Sequence, residues 1–233
     1  MTTENKILYT VQEKIKETHD TVTLQLSCDE KISYKAGQFI NIFLKDSSIA
    51  EGKSYTVSSA PLEDVFQITV RDAGPFSHAL CSMSIGDTFF GTTPYGYFYN
   101  ESDTSTLVMI AGGVGVTPFR SMIVDALKKN PARKIILFYS NKTVSDNIFK
   151  NEFEKLQQEY KNFVVKNYIT REEIVTNGFQ KGRVQVSDIL QEIENVKDKE
   201  ILICGGIVFV RDFWKGLQNC GVDEDCIYTE AFF

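Results

Sequence analysis

Hydrophobic and polar residues alternate along the first part of the chain, through residue 101. Such alternation is typical of strands that bury one face. The runs with this period lie at residues 7–11, 21–26, 39–44 and 65–70. Turn-forming residues separate them, and short strands at this spacing predict an antiparallel barrel or sandwich.

The pattern changes after a polar stretch at residues 100–105, which we interpret as a linker. Strand-like apolar runs now alternate with stretches of helical period. The strands are predicted at residues 107–111, 135–139, 163–168 and 201–204, and the helices at 149–156 and after Pro118, Ser187 and Val208. This alternation predicts an α/β domain with a doubly wound parallel sheet. The predicted domains are therefore a β-barrel, residues 1–101, and an α/β domain, residues 102–233.

Composition narrows the classes of protein. The net charge is −6 and no basic stripe occurs, which argues against nucleic acid as the main ligand. No apolar run is long enough for a membrane span, and residues 1–6 lack the apolar segment of a signal peptide, so we expect a cytoplasmic protein. The five cysteines form no CxxC pair and have no metal-site spacing, which predicts reduced thiols, no metal and no iron–sulfur cluster on the chain.

The segment AGGVGVTPFRSM, residues 111–122, reads as the end of a strand, a glycine turn and the start of a helix. Gly112, Gly113 and Gly115 lack Cβ atoms and would let a pyrophosphate approach the backbone. Pro118 suits the first turn of a helix, whose N–H groups attract anions. A plain strand-to-helix connection is the alternative, and the motif differs from the GxGxxG dinucleotide fingerprint.

Two other strand ends carry polar or small groups. Cys204 is followed by Gly205 and a second glycine, although a core thiol is the simpler interpretation of the cysteine alone. Ser140 and Lys142 follow another predicted strand, where they could bind a ribose or its phosphate or could form an ordinary polar loop. Ligands of open parallel sheets bind beyond such carboxyl ends.

The barrel half shows a related combination of groups. Lys53 and Tyr55 share one face of a candidate strand, and a cation beside an aromatic suits a phosphorylated ring compound. A solvent-facing polar strand is the alternative. Further on, Gly74-Pro75-Phe76-Ser77 is typical of a helix start, with Ser77 near the cap, where a second phosphate could lie.

In this order along the chain, these segments resemble the ferredoxin–NADP reductase family of flavoproteins. Five motifs carry the resemblance. They are Lys53-Ser54-Tyr55-Thr56 with Ser59 downstream, similar to the flavin motif Arg-x-Tyr-Ser/Thr; Gly74-Pro75-Phe76-Ser77, similar to the flavin pyrophosphate turn; Gly112 to Pro118, similar to the nicotinamide-nucleotide loop; Cys204-Gly205; and the ending Glu230-Ala231-Phe232-Phe233.

The resemblance implies a flavin-binding barrel followed by an NAD(P)H-binding α/β domain, with FAD held non-covalently. It implies that Tyr55 packs on the isoalloxazine and that Thr56 hydrogen-bonds near the reactive nitrogen of the flavin. It further implies that Lys53 and Ser77 hold the pyrophosphate, with backbone around Val70 and Gly74. A lysine replaces the usual arginine at position 53, so FMN is the alternative flavin.

The resemblance also assigns the nicotinamide side. Thr117, Cys204 and Glu230 would line the nicotinamide position, and Phe232 or Phe233 would cover the flavin face that the nicotinamide must occupy. The residues expected to take part in catalysis are Thr56, Cys204, Glu230 and Phe232. The choice between NADH and NADPH rests on Ser140 and Lys142, and one lysine on a loop does not decide it.

Three functions follow as hypotheses. The leading one is transfer of electrons from NAD(P)H through FAD to a separate electron-transfer protein, as in a ferredoxin or flavodoxin reductase. The alternative is NAD(P)H-dependent reduction of free flavin or another small acceptor. The third is a nucleotide-binding subunit without turnover.

Overall fold

The computed structural model describes residues 6–44, 52–99, 102–173, 178–193 and 198–232. Its strands form two six-stranded sheets. The strands are β1 (Ile7–Lys16), β2 (Thr21–Ser27), β3 (Phe39–Phe43), β4 (Lys53–Thr56), β5 (Phe66–Arg71), β6 (Thr88–Gly91), β7 (Thr106–Gly112), β8 (Ile135–Asn141), β9 (Phe163–Ile169), β10 (Phe179–Lys181), β11 (Lys199–Gly206) and β12 (Ile227–Phe232). The helices are α1 (Pro75–Ser82), α2 (Thr117–Lys129), α3 (Lys150–Glu159), α4 (Val186–Ile193) and α5 (Ile207–Asn219).

The first sheet is an antiparallel barrel with the strand order β4-β3-β6-β1-β2-β5. An antiparallel bridge between Val57 and Ile68 joins the end of β4 to β5 and closes the sheet on itself. The alternating apolar residues point inward, and Tyr9 is fully buried with its hydroxyl donating to the Thr92 carbonyl at 2.9 Å. The structure thus confirms the predicted antiparallel fold and shows that it is a barrel rather than a sandwich.

The second sheet is parallel throughout, with the order β10-β9-β8-β7-β11-β12. Apolar clusters cover both faces: Leu107 and Met109 pack on one side of β7, and Val108 and Ile110 on the other. Burial on both faces explains why these strands are continuous apolar runs. The chain leaves β7 in one direction and returns to β11 on its other side, so the strand order reverses between them. A ligand crevice is expected at this switch point.

The predicted helices are all present, with small shifts of their ends. The helix expected at residues 149–156 runs from Lys150 to Glu159, because Phe149 takes a left-handed conformation (φ 60°) at its N-cap. The sequence pattern did not predict β6, β10 or β12, of four, three and six residues. The four residues of β6 and the three of β10 show too few alternations to be recognised. No helix in the described ranges has the length and apolar character needed to cross a membrane.

The predicted linker is only partly visible, because residues 100 and 101 lie outside the described ranges. The Ser102 N–H and the Ser105 hydroxyl both donate to the Glu200 carboxylate, at 3.0 and 2.6 Å. Glu200 lies on β11. Residues 102–105 are therefore bound to the α/β domain, and the predicted boundary between 101 and 102 stays a proposal.

The two domains are joined where the site lies. The Ser121 hydroxyl on α2 donates to the Ser59 carbonyl at 2.5 Å, and Lys128 on the same helix donates to the Leu62 carbonyl at 3.2 Å. Residues 58–63 directly follow β4 and its bridge at Val57. These contacts hold the end of β4 beside the helix that follows the glycine turn.

Candidate functional site

The barrel side of the site is a surface shared by β4 and the first turn of α1. The Tyr55 ring stacks on the Phe76 ring with centroids 6.2 Å apart and planes 16° apart. The Lys53 Nζ lies 5.9 Å from the same Phe76 centroid. Burial raises the pKa of Tyr55 well above its ordinary value, so the phenol is neutral. Thr56, the next residue, is buried. A cation beside a flat aromatic surface is what the sequence pattern predicted here.

The turn before α1 is shaped by Ser77. Its hydroxyl accepts the N–H groups of Ala73 and Gly74, at 2.9 and 3.0 Å, and donates to the Gly74 carbonyl at 3.0 Å. A side-chain carbon placed on Gly74 would meet no atom within 4 Å, so the turn faces open space. Val70, also expected near a phosphate, is buried and pairs with Val22. Ser77 therefore orients this turn, and the backbone at Gly74 faces outward.

Ser59 lies at the boundary between the domains. It is fully buried, and its hydroxyl accepts the Gln67 N–H at 2.9 Å and lies 3.0 Å from the Tyr34 hydroxyl. Its carbonyl accepts the Ser121 hydroxyl. These bonds hold the Ser59 side chain in the protein interior and fix the path of the chain after β4.

The glycine turn joins β7 to α2 through a 3-10 turn at Gly113–Val116. A side-chain carbon on Gly115 would lie 2.4 Å from the Cys204 carbonyl oxygen, closer than any contact allows. Gly113 has φ 55°, a left-handed conformation that favours glycine. The turn therefore needs its glycines so that it can lie directly against β11.

The residues next to the glycine turn are also closely packed or hydrogen-bonded within the protein. A side-chain carbon on Gly112 would lie 3.3 Å from the Phe209 ring, and one on Gly205 would lie 2.9 Å from it. Thr117 is buried, and its hydroxyl donates to the Val114 carbonyl at 2.7 Å. Pro118 is the second residue of α2. The hydroxyl of Thr117 is thus engaged within the turn.

Two helix N-termini meet at the switch point. The 3-10 turn and α2 follow β7, and α5 follows the adjacent strand β11. Neither α2 nor α5 has a side-chain cap, and the N-cap residue Gly206 is exposed with open space around it. At the start of α2 the Thr117 N–H donates to the Val114 carbonyl and Pro118 has no N–H, so the uncapped N–H groups are those of the 3-10 turn and of α5. Together with the helix dipoles they favour an anion such as a pyrophosphate.

Cys204 and Glu230 are register partners on β11 and β12. Burial raises the pKa of Glu230 to about 7, and one carboxylate oxygen, Oε2, is buried with no hydrogen-bond partner among the described residues. Burial, reinforced by the neighbouring Glu230 charge, raises the pKa of the Cys204 thiol well above its ordinary value. Cys204 is therefore a neutral thiol, and the orphaned carboxylate oxygen fits a site that a ligand completes.

Phe232 pairs in register with Gly206 and is partly buried. It packs against the apolar cluster that contains Val116 and Cys204. Phe232 therefore lies beside the end of β11. Phe233, the alternative aromatic, lies outside the described residues.

The residues expected to contact a ribose occupy the end of β8. Ser140 is half-buried and pairs in register with Gly112, beside the glycine turn. Lys142 is exposed, and its carbonyl accepts the Arg171 N–H at 2.8 Å. Ser140 thus belongs to the crevice, whereas Lys142 lies farther toward solvent.

Arg71 is a residue of the site that the sequence pattern did not reveal. It ends β5, and its Nε donates to the Asp20 carboxylate at 2.7 Å. Its Nη1 would lie 3.7 Å from a side-chain carbon on Gly113. The barrel therefore supplies a cation to the glycine turn of the other domain. A charged residue that closes an apolar strand just before Gly74 was the available signal, but only the tertiary structure shows what it faces.

Fold and site together define a two-domain protein whose barrel suits a flavin and whose parallel sheet suits a nicotinamide nucleotide. Residues 8–99 match the family model described as oxidoreductase FAD-binding domain, and residues 109–215 match the oxidoreductase NAD-binding domain. The two models together span most of the chain. The chain belongs to the ferredoxin–NADP reductase family of FAD- and NAD(P)-dependent oxidoreductases.

Individual relatives agree with this family. The chain is 27% identical over 240 residues to a flavohemoprotein of Oceanobacillus iheyensis, covering 96% of this chain and 58% of that protein. It is 24% identical to the xylene/toluene monooxygenase electron transfer component XylA of Pseudomonas putida, covering 92% and 62%. The chain thus spans about three fifths of the length of these relatives.

A solved structure shows the same fold. It is the flavohem-like FAD/NAD binding domain of nitric oxide dioxygenase from Vibrio cholerae, with a TM-score of 0.86 and 24% sequence identity. The match covers 97% of this chain and 98% of that domain. The predicted two-domain fold, a flavin-binding barrel followed by a nucleotide-binding α/β domain, is confirmed.

Proposed function

We propose that this chain passes electrons from NAD(P)H through non-covalently held FAD to a separate electron-transfer protein. The observation that carries the proposal is the junction of the two half-sites: Arg71 at the end of β5 reaches the turn at Gly113. The aromatic surface of the barrel and the strand ends of the α/β domain therefore border one crevice. Hydride transfer needs two rings aligned at close range, and such a junction provides that alignment.

The residues present fit the two ligands. The Tyr55–Phe76 surface with Lys53 fits a flat ring system and a phosphate, and the outward-facing turn at Gly74 fits the flavin pyrophosphate. A bound flavin accepts a hydride and releases its electrons singly. In this proposal Tyr55 packs on the flavin ring, Thr56 hydrogen-bonds beside it, and Lys53 offsets the phosphate charge.

The nicotinamide side is assigned in the same way. The N–H groups at the starts of the 3-10 turn and of α5 receive the nucleotide pyrophosphate, with Arg71 as an added cation. Glu230 offers its free carboxylate oxygen to the carboxamide of the nicotinamide, beside the neutral thiol of Cys204. Phe232, which packs beside the end of β11, covers the flavin and moves aside when the nicotinamide enters.

The acceptor is proposed from the relatives. XylA is named as an electron transfer component, and the matched part of that protein covers most of this chain. For the donor, Ser140 beside the glycine turn suits a ribose of either nucleotide, and the exposed Lys142 would pair with the 2′-phosphate of NADPH.

The test is an anaerobic titration of the purified protein with NADH and, separately, with NADPH, followed by the visible absorbance of the flavin. Stoichiometric bleaching by one of them is the expected result. The reduced protein is then mixed with cytochrome c plus a ferredoxin, and in parallel with free FMN. Preferential transfer to the protein acceptor supports the proposal, whereas transfer only to free FMN supports the small-acceptor alternative. A protein that stays colourless after added FAD refutes both.

A further inference from the structure

Arg120 is a buried arginine that holds the two domains together. It lies in the first turns of α2, is 7% exposed, and uses its whole guanidinium group. On the barrel side it donates two bonds to the Glu63 carboxylate and one, of 3.0 Å, to the Ser58 carbonyl. On the other side it donates from Nε and Nη2 to the Glu152 carboxylate on α3, at 3.1 and 2.6 Å. Each carboxylate receives two bonds, so both contacts are forks that only arginine can make.

The ion pair with Glu63 is itself fixed in place. The Glu63 carboxylate also accepts the Ala60 N–H at 2.6 Å. Hydrogen bonds from Arg120 and Ala60 outweigh the effect of burial and hold the pKa of Glu63 below its ordinary value, so the carboxylate is charged. Segment 58–63 therefore has one position relative to α2, set by bonds at both of its ends.

This contact connects the two half-sites by a short path. Arg120 follows Pro118 by two residues and lies immediately beyond the glycine turn on the same helix. Ser58 follows Thr56 by two residues and lies immediately beyond the strand that carries Tyr55. A shift of α2 relative to segment 58–63 would thus move the nucleotide turn relative to the flavin strand by the same distance.

We infer that Arg120 is a positioning residue, which sets the approach of the nicotinamide to the flavin through its fork with Glu63. The inference rests on the function proposed above. Hydride transfer is sensitive to distance, and a misplacement of about 1 Å can cost about 100-fold in rate. Binding of NAD(P)H depends mainly on groups of the α/β domain, with Arg71 as an added cation from the barrel, and is therefore less sensitive to the relation between the domains.

Arg120 makes two ion pairs that can be removed separately. The ion pair with Glu63 crosses between the domains, and the ion pair with Glu152 stays within the α/β domain. Glu63→Gln and Glu152→Gln each replace one carboxylate by a neutral group of the same shape. Arg120→Lys keeps the charge and removes both forks. The measurement is anaerobic stopped-flow reduction of the flavin over a range of NAD(P)H concentrations, which separates the limiting rate from the dissociation constant.

We expect Arg120→Lys and Glu63→Gln to lower the limiting rate by about tenfold or more, while the dissociation constant for NAD(P)H changes by less than about threefold. Glu152→Gln should keep the limiting rate within about twofold of the original protein. Equal losses for the Glu63 and Glu152 variants would overturn the inference, because the effect would then follow from stability alone.

Arg133 provides a matched control. It is also buried, at 3% exposed, and donates to the Ser105 carbonyl and hydroxyl at 2.8 and 3.0 Å within the α/β domain. Arg133→Lys should lower the melting temperature but leave the limiting rate unchanged. A loss of rate with Arg133→Lys as large as with Arg120→Lys would also overturn the inference.

The outcomes separate this inference from the proposed function. If NAD(P)H does not reduce the flavin of the original protein, the proposed function fails. If it does, and the variants reduce at the original rate, only the role of Arg120 fails. Should Arg120→Lys not fold, Glu63→Gln keeps the test open, because it leaves Arg120 and its fork with Glu152 in place. Its limiting rate should still fall by about tenfold or more, and an unchanged rate would overturn the inference.

Discussion

The barrel side and the α/β side of the crevice present different chemical groups. The barrel side consists of side chains, with Tyr55, Phe76 and Lys53 standing on a strand and a turn. The α/β side consists mainly of backbone, with glycines packed on β11 and the uncapped starts of the 3-10 turn and of α5. Parallel strands all end at one edge and bring helix N-termini together there, whereas neighbouring strands of an antiparallel barrel run in opposite directions. One half-site should therefore be damaged by added atoms and the other by removed atoms.

The largest expected effect comes from adding one carbon to the backbone side. Gly115→Ala places a carbon 2.4 Å from the Cys204 carbonyl oxygen, so the glycine turn must move away from β11. We expect the limiting rate of flavin reduction by NAD(P)H to fall by about 100-fold, because the nucleotide is displaced. Anaerobic stopped-flow kinetics measures this rate.

The matched control is Gly206→Ala. Gly206 has φ −65° and open space around it, so alanine fits there without strain. Its melting temperature should equal that of the original protein, whereas that of Gly115→Ala should fall. Normal reduction kinetics in Gly115→Ala would show that the close packing of the turn is not needed.

The second effect concerns Glu230, whose carboxylate oxygen Oε2 is buried on the α/β side. Burial raises the pKa of Glu230 in the folded protein to about 7 from the ordinary 4.5, so the unfolded chain ionises first as the pH rises. The contribution of the neutral carboxyl to stability is complete below pH 4.5 and is lost as the pH rises toward 7. Glu230→Gln should therefore gain stability relative to the original protein by about 3 kcal/mol between pH 4.5 and pH 8.

Urea unfolding at several pH values, with no nucleotide present, measures this difference. A stability difference that does not change with pH would show that Glu230 has an ordinary pKa. The same substitution should slow flavin reduction above pH 7, because a carboxylate stabilises the positive charge that develops on the nicotinamide. Equal rates for both proteins at pH 8 would remove Glu230 from the proposed catalytic group.

The third prediction removes side-chain atoms from the barrel side of the crevice. Tyr55→Ala deletes the ring that stacks on Phe76, and we expect the dissociation constant for FAD to rise by about tenfold. The fluorescence of released flavin measures it. Tyr97→Ala removes a tyrosine that is 91% exposed and should leave FAD binding unchanged. Equal losses from both substitutions would contradict a specific role for Tyr55.

The smallest effect comes from exchanging one cation for another. Lys53→Arg should lower the FAD dissociation constant by about threefold, because a guanidinium can hold a phosphate with two bonds where an ammonium offers a point charge. Isothermal titration of the flavin-free protein with FAD, and separately with FMN, tests this. If the gain is equal for both flavins, Lys53 acts on the phosphate they share; weaker FAD binding would place Lys53 away from the phosphates.

The sequence predicted the site unevenly. The sequence pattern indicated the groups within each of two short stretches, Lys53 with Tyr55 and the turn at Gly74, because the members of each stretch are close in the chain. Only the tertiary structure stacks Tyr55 on Phe76 and so joins the two stretches into one surface. The family resemblance implied ligand contacts for Ser59, Ser77 and Thr117, and the structure shows each hydroxyl engaged with neighbouring protein groups. A hydroxyl close to its own backbone bonds to it readily, and a motif does not indicate whether a second bond remains free.

The amino-acid sequence by itself determined the two domains, their order and the positions of the glycine turns, because hydrophobic period and glycine content are local properties of the chain. Only the tertiary structure decided that the barrel closes through Val57 and Ile68, that Arg71 reaches the turn at Gly113, and that Arg120 joins Glu63 to Glu152. These contacts link residues that are far apart in the chain. They depend on how the two domains pack, which no local pattern of residue types specifies.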